Sequence, residues 1–436
     1  MSDFNRRELL QMTAAGALAV GAGARPALAA DYKPMFDVEK GASLQLLRWT
    51  GFIDQDDKQW KINTDAFTKA TGVPVTIQEV SWTEIQAKSG LAAQIGSGPD
   101  VIMGFYDDPF IYPDKLVDVS DVCEYLEKKY GGFYDVAKSY GYDTENKRWI
   151  GLPMGGPGAA VTYRESWLKE AGFDSFPKDF DGLLKAARAL KKINHPIGLA
   201  LGHAVGDGNT WCHTLLWGFG GKQVDEDNKV AIDSKETREA LKYAKALYET
   251  MIPGTASWLD VNNNQAFLAG QISMTINGIS IWYTAKQKFP DMFPDIRTAP
   301  QPIGPVGHAT NFNLFSQSFI FKYSKYPNAA KEYLRFMCER EQMDPWVTGM
   351  VGYVTPALKG YADLPIWTKA PEITPYRDVL KDNHPDGFAG TPGRAAATAL
   401  NDFVIVNMFA DACAHGSSPE DAAKSAAAKL KSIYGS

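Results

Sequence analysis

Two acidic residues and two tryptophans are the side chains of this sequence best suited to hold a small polar molecule. Asp107 and Asp108 follow the apolar run at 101–103, where a loop carboxylate can accept two hydroxyl groups. Trp82 follows a predicted strand and Trp211 lies at a predicted helix start, so each indole could pack on the C–H face of a sugar ring. These residues predict a saccharide site, with a solvated turn and core packing as the respective alternatives.

Two predicted helix N-termini carry further candidates. Asn209 and Thr210 begin the helix that includes Trp211, where free backbone N–H groups can meet a polar ligand. Arg394 begins a helix after the turn at 390–393, and its guanidinium could hold a carboxylate, a sulfonate, a phosphate or two hydroxyl groups. A surface arginine paired with an acid is the alternative interpretation of Arg394.

Patterns that would indicate an enzyme are missing from the sequence. It contains no G-x-S-x-G elbow, no Walker loop and no H-E-x-x-H motif, and its six histidines lack a spacing suited to zinc. Asp107 and Asp108 are adjacent, so their side chains would point apart rather than flank a glycosidic bond. Four widely spaced cysteines indicate neither a metal knuckle nor a disulfide scaffold. We therefore expect a binding protein without catalysis, metal or cofactor.

The composition is that of a large globular chain with an export signal. Its 436 residues are 45% hydrophobic, and a net charge of −6 without long charged runs gives no footprint for nucleic acid. Residues 1–29 resemble a twin-arginine signal, with Arg6 and Arg7, a weakly apolar stretch and a small-x-small cleavage site. That stretch is too short to span a membrane. We expect a periplasmic monomer from about residue 30, with no membrane insertion.

Apolar periodicity predicts alternating strands and helices in the first hundred residues. Strands are expected at 45–49, 73–80 and 100–103, separated by helices long enough for right-handed crossovers. This pattern indicates an open parallel α/β sheet, whose ligands bind beyond the carboxyl ends of the strands. The polar residues that follow the first strand are therefore candidates: Thr50, Asp54 and Gln55.

Residues 149–164 (WIGLPMGGPGAAVTYR) are where we expect the chain to pass from one structural unit to another. Prolines remove ladder donors and glycines permit unusual dihedrals, so extended chain can cross a gap here and another molecule can approach its backbone. Gly156 joins the candidate site for this reason, and with Gly155 and Gly158 it would let the segment bend. A bent strand beside a loop is the alternative.

Six motifs, in order along the chain, resemble those of one protein family. They are TGVPV at 71–75, GSGPDVIM at 96–103, GLPMGGPGAAVTYRESWLKEAG at 151–172, AFLAGQISMTINGISIW at 266–282, YPNAAKEYLRFM at 326–337 and GYVTP at 352–356. With the export signal, they resemble the extracellular solute-binding proteins of carbohydrate ABC importers, the maltose-binding-protein-like group. The resemblance covers nearly all of the mature chain.

The resemblance implies an α/β fold of the two-lobed periplasmic binding protein type (type II). Each lobe would be an open, mostly parallel sheet flanked by helices, and crossover hinge segments would join the lobes around a cleft. One lobe would hold 30–156 and 314–352, and the other would hold 157–313 and 353–436.

The resemblance also adds site residues. A third crossover near the end of the chain places Tyr353 at the cleft, and Asn277 ends a strand that faces it. The family often has a stacking tryptophan two residues after the glycine that follows this strand. Ser280 occupies that position here, so Trp282, two residues further on, is the candidate.

The implied function is capture of a saccharide or sugar derivative between the lobes and its delivery to the permease subunits of an ABC transporter. Two alternatives stay open. The solute could be a polyol, a polyamine or a phospho- or sulfo-compound, or the protein could be a secreted glycosidase. The sequence does not fix which sugar is bound.

Changing both Arg6 and Arg7 to lysine should leave unprocessed precursor in the cytoplasm, because the weakly apolar stretch suits twin-arginine export better than the general route. Cell fractionation and immunoblotting against the wild type would measure this. A normal periplasmic yield of the double variant would contradict the export assignment.

Overall fold

The computed structural model describes residues 32–435, so the predicted export signal lies outside the described residues. The elements below belong to one compact unit that begins at Pro34. Its strands are β1 Leu44–Trp49, β2 Val75–Val80, β3 Val101–Phe105, β4 Tyr142–Asp143, β5 Arg148–Trp149, β6 Leu152–Gly156, β7 Ala160–Arg164, β8 Met274–Asn277, β9 Ile296–Ala299, β10 Ser316–Ile320 and β11 Thr355–Pro356.

The α-helices alternate with these strands in the first part of the chain and dominate its end. They are α1 Asp54–Thr71, α2 Ile85–Ile95, α3 Ser120–Tyr130, α4 Asp135–Gly141, α5 Glu165–Glu170, α6 Phe180–Lys192, α7 Asp207–Gly218, α8 Lys235–Tyr248, α9 Asn262–Leu268, α10 Ser280–Lys288, α11 Pro327–Met337, α12 Arg340–Gly349, α13 Thr374–Arg377, α14 Arg394–Asn401, α15 Val404–Cys413 and α16 Pro419–Tyr434.

The larger sheet has six strands in the order β11-β6-β10-β3-β1-β2. β1 is parallel to β2 and β3, as the sequence predicts, and α1 and α2 form the crossovers between them. Each of these helices ends at a glycine with a left-handed backbone, Gly72 (φ 77°) and Gly96 (φ 68°). β10 is antiparallel to β3 and β6, and β11 is antiparallel to β6.

The smaller sheet has three strands in the order β8-β7-β9, and both pairings are antiparallel. α15 packs against α7, α8 and α16. The predicted α/β class with two lobes is confirmed, but neither sheet is mostly parallel, because the larger sheet is mixed and the smaller one is antiparallel. Apolar periodicity marks which residues form a strand but not its direction, and strands that return from the other lobe need no helical crossover.

The chain changes sheets where the sequence predicts it. In the first passage, β6 ends at Gly156 in the larger sheet and β7 begins at Ala160 in the smaller one. The second passage, between β9 and β10, returns the chain to the larger sheet, and the third, at β11, is where the chain leaves it again. The exact lobe boundaries stay a prediction.

Glycines allow the backbones of these passages to lie in direct contact. A β-carbon on Gly156 would collide with the carbonyl oxygen of Leu314, and one on Gly155 would collide with that of Thr355. Gly155 also has a φ of 134°, which L side chains rarely adopt. The partner that approaches the backbone of Gly156 is therefore another segment of the chain.

Gly156→Ala should lower the free energy of unfolding by about 1–3 kcal/mol, because the new methyl group displaces the segment at Leu314. Urea unfolding of the ligand-free protein measures the effect. The matched control is Gly349→Ala, where a β-carbon meets no atom within 4 Å. Equal stability of the two variants would show that the segment at Leu314 can move away from residue 156 without lowering the free energy of unfolding.

Candidate functional site

A cavity with an empty volume of about 380 Å³ is lined by residues from both halves of the molecule. This volume includes space that is open to solvent. The lining residues are Phe52, Trp82, Pro157, Ala159, Gly206, Asp207, Thr210, Asp260, Asn264, Asn277, Gly278, Ser280, Leu314 and Tyr353.

Aromatic rings form one side of the cavity. Trp82 is 8% exposed, stacks on Phe105 at 5.0 Å between ring centroids, and meets the edge of Phe52 at 5.0 Å. Its indole N–H donates to the carbonyl oxygen of Thr50 at 3.1 Å. These contacts fix the indole plane, and Tyr353 adds a third ring to the cavity wall.

A buried arginine holds the loop that carries Phe52. Arg48, at 0% exposure, forms ion pairs with Asp56 and Asp57, each at 2.9 Å. Asp57 also accepts the backbone N–H of Gly51 at 2.9 Å, immediately before Phe52. Because loss of one partner would leave a buried charge uncompensated, the network ties this loop firmly to α1.

Two carboxylates from the smaller-sheet half also line the cavity. Asp260 accepts the backbone N–H groups of Val205 (2.8 Å), Gly206 (2.9 Å) and Asp207 (2.8 Å) and so caps α7. Asp207 accepts one bond, at 2.6 Å, from the side-chain amide of Asn263. Burial raises the pKa of both carboxyls, and the charge of Asp260 raises the pKa of Asp207 further.

Side-chain amides and a hydroxyl complete the polar wall. The Asn277 amide donates to Oδ1 of Asn264 at 2.6 Å, and the Ser280 hydroxyl donates to the same oxygen at 3.2 Å. The side-chain oxygen Oδ1 of Asn277 in turn accepts the backbone N–H of Gly278 at 2.7 Å. Donors and acceptors are thus held in fixed orientations, as a site for hydroxyl groups requires.

The structure brings four of the predicted site residues to the cavity: Trp82, Thr210, Asn277 and Tyr353. Trp211 is instead a core residue, 2% exposed, whose indole N–H donates to the carbonyl oxygen of Ala200. Asn209 is buried as well, and its amide donates to the carbonyl oxygen of Val205 at 3.1 Å. Residues three apart share a helix face, so Thr210 faces the cavity together with Asp207.

Trp282 also differs from its prediction. It is 2% exposed, meets the edge of Phe293 at 5.2 Å, and has the Lys286 ammonium 4.8 Å from its ring centroid. Ser280, at the position where the family often has a tryptophan, lines the cavity in its place.

The predicted acidic pair is buried away from the cavity. Asp108 accepts the backbone N–H of Phe105 at 2.9 Å, and burial raises the pKa of its carboxyl to about 6. Asp107 faces Asp386, and burial, together with that second carboxyl, raises the pKa of Asp107 well above its usual range. Both residues follow the end of β3, as the sequence predicts, but the 3-10 turn at Asp108–Ile111 directs their carboxyls inward.

The remaining candidates, Thr50, Asp54, Gln55, Gly156 and Arg394, do not line the cavity. Thr50 is exposed, Gln55 is half-buried on α1, and Gly156 contacts the second passage. Arg394 is exposed and lines a separate surface groove, beside Tyr112.

Partial signals for the lining residues that were not predicted are present in the sequence. Asp207 belongs to the same G-D-G-N-T-W run as Thr210, one residue after the cavity-lining Gly206. Asp260 and Asn264 delimit a polar run, D-V-N-N-N, but its proximity to Asn277 is visible only in three dimensions.

Polar contacts outside the cavity wall also join the two halves. The Tyr283 hydroxyl on α10 donates to Asp54 on α1 at 2.9 Å. The Asn401 amide on α14 donates to Asp108 at 3.4 Å, and the side-chain amide of Gln86 also contacts Asn401. These contacts would be lost if the halves separated, so they favour the form in which the cavity is enclosed.

A two-lobed α/β fold with a polar and aromatic cavity between its halves is the architecture of a ligand-binding protein. The sequence model of bacterial extracellular solute-binding proteins matches residues 64–375, and the chain belongs to this family. Within residues 32–435 we find no helix that combines the length and the apolar character needed to cross a membrane.

Individual relatives agree with this assignment. YcjN of Escherichia coli (strain K12), named as an ABC transporter periplasmic-binding protein, is 22% identical over 301 residues, 67% of this chain and 68% of its own. Maltose-bound MalE3 of T. maritima has a TM-score of 0.78 at 20% identity, covering 90% of this chain and all of its own. A sugar transporter protein of Arthrobacter chlorophenolicus A6 with bound laminaribiose has a TM-score of 0.77 at 17% identity, covering 90% and 99%.

Tyr283→Phe should shift the ligand-free protein toward a more open form, because it removes a contact between the halves worth about 0.5–1.5 kcal/mol. Small-angle X-ray scattering measures the radius of gyration. Tyr323→Phe is the matched control, since its hydroxyl donates to Pro99 next to β3 in the larger-sheet half. An unchanged radius for Tyr283→Phe would show that this contact does not restrain opening.

Proposed function

We propose that this protein is a periplasmic receptor that encloses a saccharide or sugar derivative and delivers it to the permease of an ABC transporter. The observation that carries the proposal is the cavity wall, which sets Phe52, Trp82 and Tyr353 against fixed carboxylates and amides. Rings can pack on the C–H faces of a sugar while the polar groups receive its hydroxyls. The relatives with bound maltose and laminaribiose support the same class of solute.

The remaining parts of the proposal follow from the family. A family of extracellular binding proteins and the signal-like residues 1–29 support a periplasmic location. We propose a monomer whose lobes are 30–156 with 314–352, and 157–313 with 353–436. The passages between β6 and β7, and between β9 and β10, would act as hinges during closure.

The alternatives are less well supported. A phospho- or sulfo-compound would need a cationic partner, and no lysine, arginine or histidine is among the described residues that line the cavity. A glycosidase needs one carboxyl as an acid and another as a base or nucleophile. Asp260 uses both of its carboxylate oxygens to accept backbone N–H groups at the start of α7. Asp207 therefore has no second free carboxylate beside it to complete the pair that a glycosidase needs.

A thermal-shift screen of the mature protein tests the proposal. Glucose, maltose, laminaribiose, tagatose and mannitol should include at least one compound that raises the melting temperature, because a ligand at about 100 times its Kd adds roughly 2.7 kcal/mol. The effective compound should also change tryptophan emission, since Trp82 lines the cavity.

Trp82→Ala should weaken binding of that compound at least tenfold, whereas Trp282→Phe should leave its affinity unchanged, because Trp282 is buried against Phe293. If saccharides and polyols have no effect while amino acids or peptides stabilise the protein, the proposed solute class is wrong.

A further inference from the structure

The charged side chains of the cavity wall all have the same sign. Asp207 and Asp260 line the cavity, and each keeps part of its side chain exposed. The described lining residues include no cationic side chain that could neutralise them. An ionised carboxylate in a buried site is costly unless a positive charge or several donors compensate it, and burial accordingly raises the pKa of both carboxyls in the ligand-free protein. A cation bound beside them would hold them ionised.

The two carboxylates differ in how far they are compensated. Asp260 has three backbone donors at the N-terminus of α7, where the helix dipole also stabilises negative charge. Asp207 receives one donor, the Asn263 amide, although a carboxylate can accept about four hydrogen bonds. Asp207 is therefore the carboxylate that can still accept hydrogen bonds from a solute.

The aromatic side of the same cavity is compatible with a cation. Phe52, Trp82 and Tyr353 line the same space as Asp207. A cation within about 6 Å of such a ring is attracted by its quadrupole, and the attraction increases when water is excluded.

We propose, resting on the proposed function, that the solute is a small sugar or cyclitol that carries a protonated amine, and that Asp207 receives its ammonium group. The ammonium supplies the charge that the wall lacks, and its N–H groups fill the acceptor positions that Asn263 leaves open. The ring hydroxyls of the solute contact Asn264, Asn277 and Ser280. A uronate or sugar phosphate meets two like charges in this cavity and is rejected.

Matched sugar series test this assignment. Isothermal titration of the mature protein compares glucose, galactose and mannose with their 2-amino, 2-acetamido and uronate counterparts. In at least one series the amino sugar should bind at least tenfold more tightly than the hydroxyl and acetamido forms, and the uronate should bind most weakly. The hydroxyl form matches the amine in size without its charge, and the acetamido form keeps the nitrogen without its charge, so the two controls together separate charge from shape.

Variants of Asp207 assign the effect to this residue. Asp207→Asn should weaken amino-sugar binding at least tenfold and abolish the preference, whereas Asp207→Glu should retain the preference. Asp181→Asn is the matched control, because Asp181 is an exposed acid in the first turn of α6. Thermal unfolding without ligand should show Asp207→Asn to be as stable as the wild type, so that a loss of binding is not a loss of fold.

The outcomes separate this inference from the proposed function. If neutral sugars bind as tightly as amino sugars, or if Asp207→Asn keeps the preference, the ammonium assignment is overturned and the saccharide receptor stands. If no sugar binds but spermidine or putrescine does, the saccharide receptor is overturned. Absence of binding by every sugar and amine tested overturns both.

Discussion

The cavity depends on the close approach of three extended segments that pass between the halves of the molecule. β6 lies between β10 and β11, and the missing side chains of Gly155 and Gly156 allow the neighbouring backbones to reach it. Because β6 continues into β7 within three residues, this contact also positions Pro157 and Ala159 in the cavity wall. Packing of backbone on backbone therefore sets the geometry of the site before any ligand contact is made.

The two halves supply different chemistry to the wall. The larger-sheet half contributes Phe52 and Trp82, whose loops are fixed by ring stacking and by the buried Arg48 network. The smaller-sheet half contributes carboxylates and amides, which are oriented by the cap of α7 and by the Asn264 cluster. Neither half alone encloses a solute, so recognition of the two faces of a ring requires that the halves meet.

Much of the fold could be predicted from the sequence because it follows from local patterns. Apolar periodicity located β1, β2 and β3, and glycines marked the ends of α1 and α2. The dense glycine and proline pattern located the first passage between the sheets. Strand direction in β10 and β11 could not be predicted, since it depends on how the passages return and not on which residues alternate.

The candidate site was predicted less completely, for a physical reason. A tryptophan or an aspartate that follows a strand or begins a helix can face either the cavity or the core. The direction of its side chain changes from one position in the chain to the next. Thr210 and Trp211 are neighbours on α7, yet one lines the cavity and the other donates to the backbone of Ala200. Asp260 is fixed by contacts with a segment more than 50 residues earlier, which no local pattern records.

The cavity wall is also formed by residues from early and late parts of the chain. Its first residue is Phe52 and its last is Tyr353, with contributions from the segments between them. During synthesis no complete wall exists until Tyr353 has emerged and the third passage has docked beside β6. A nascent or truncated chain that ends before this point lacks Tyr353 and the third passage, so its cavity wall is incomplete.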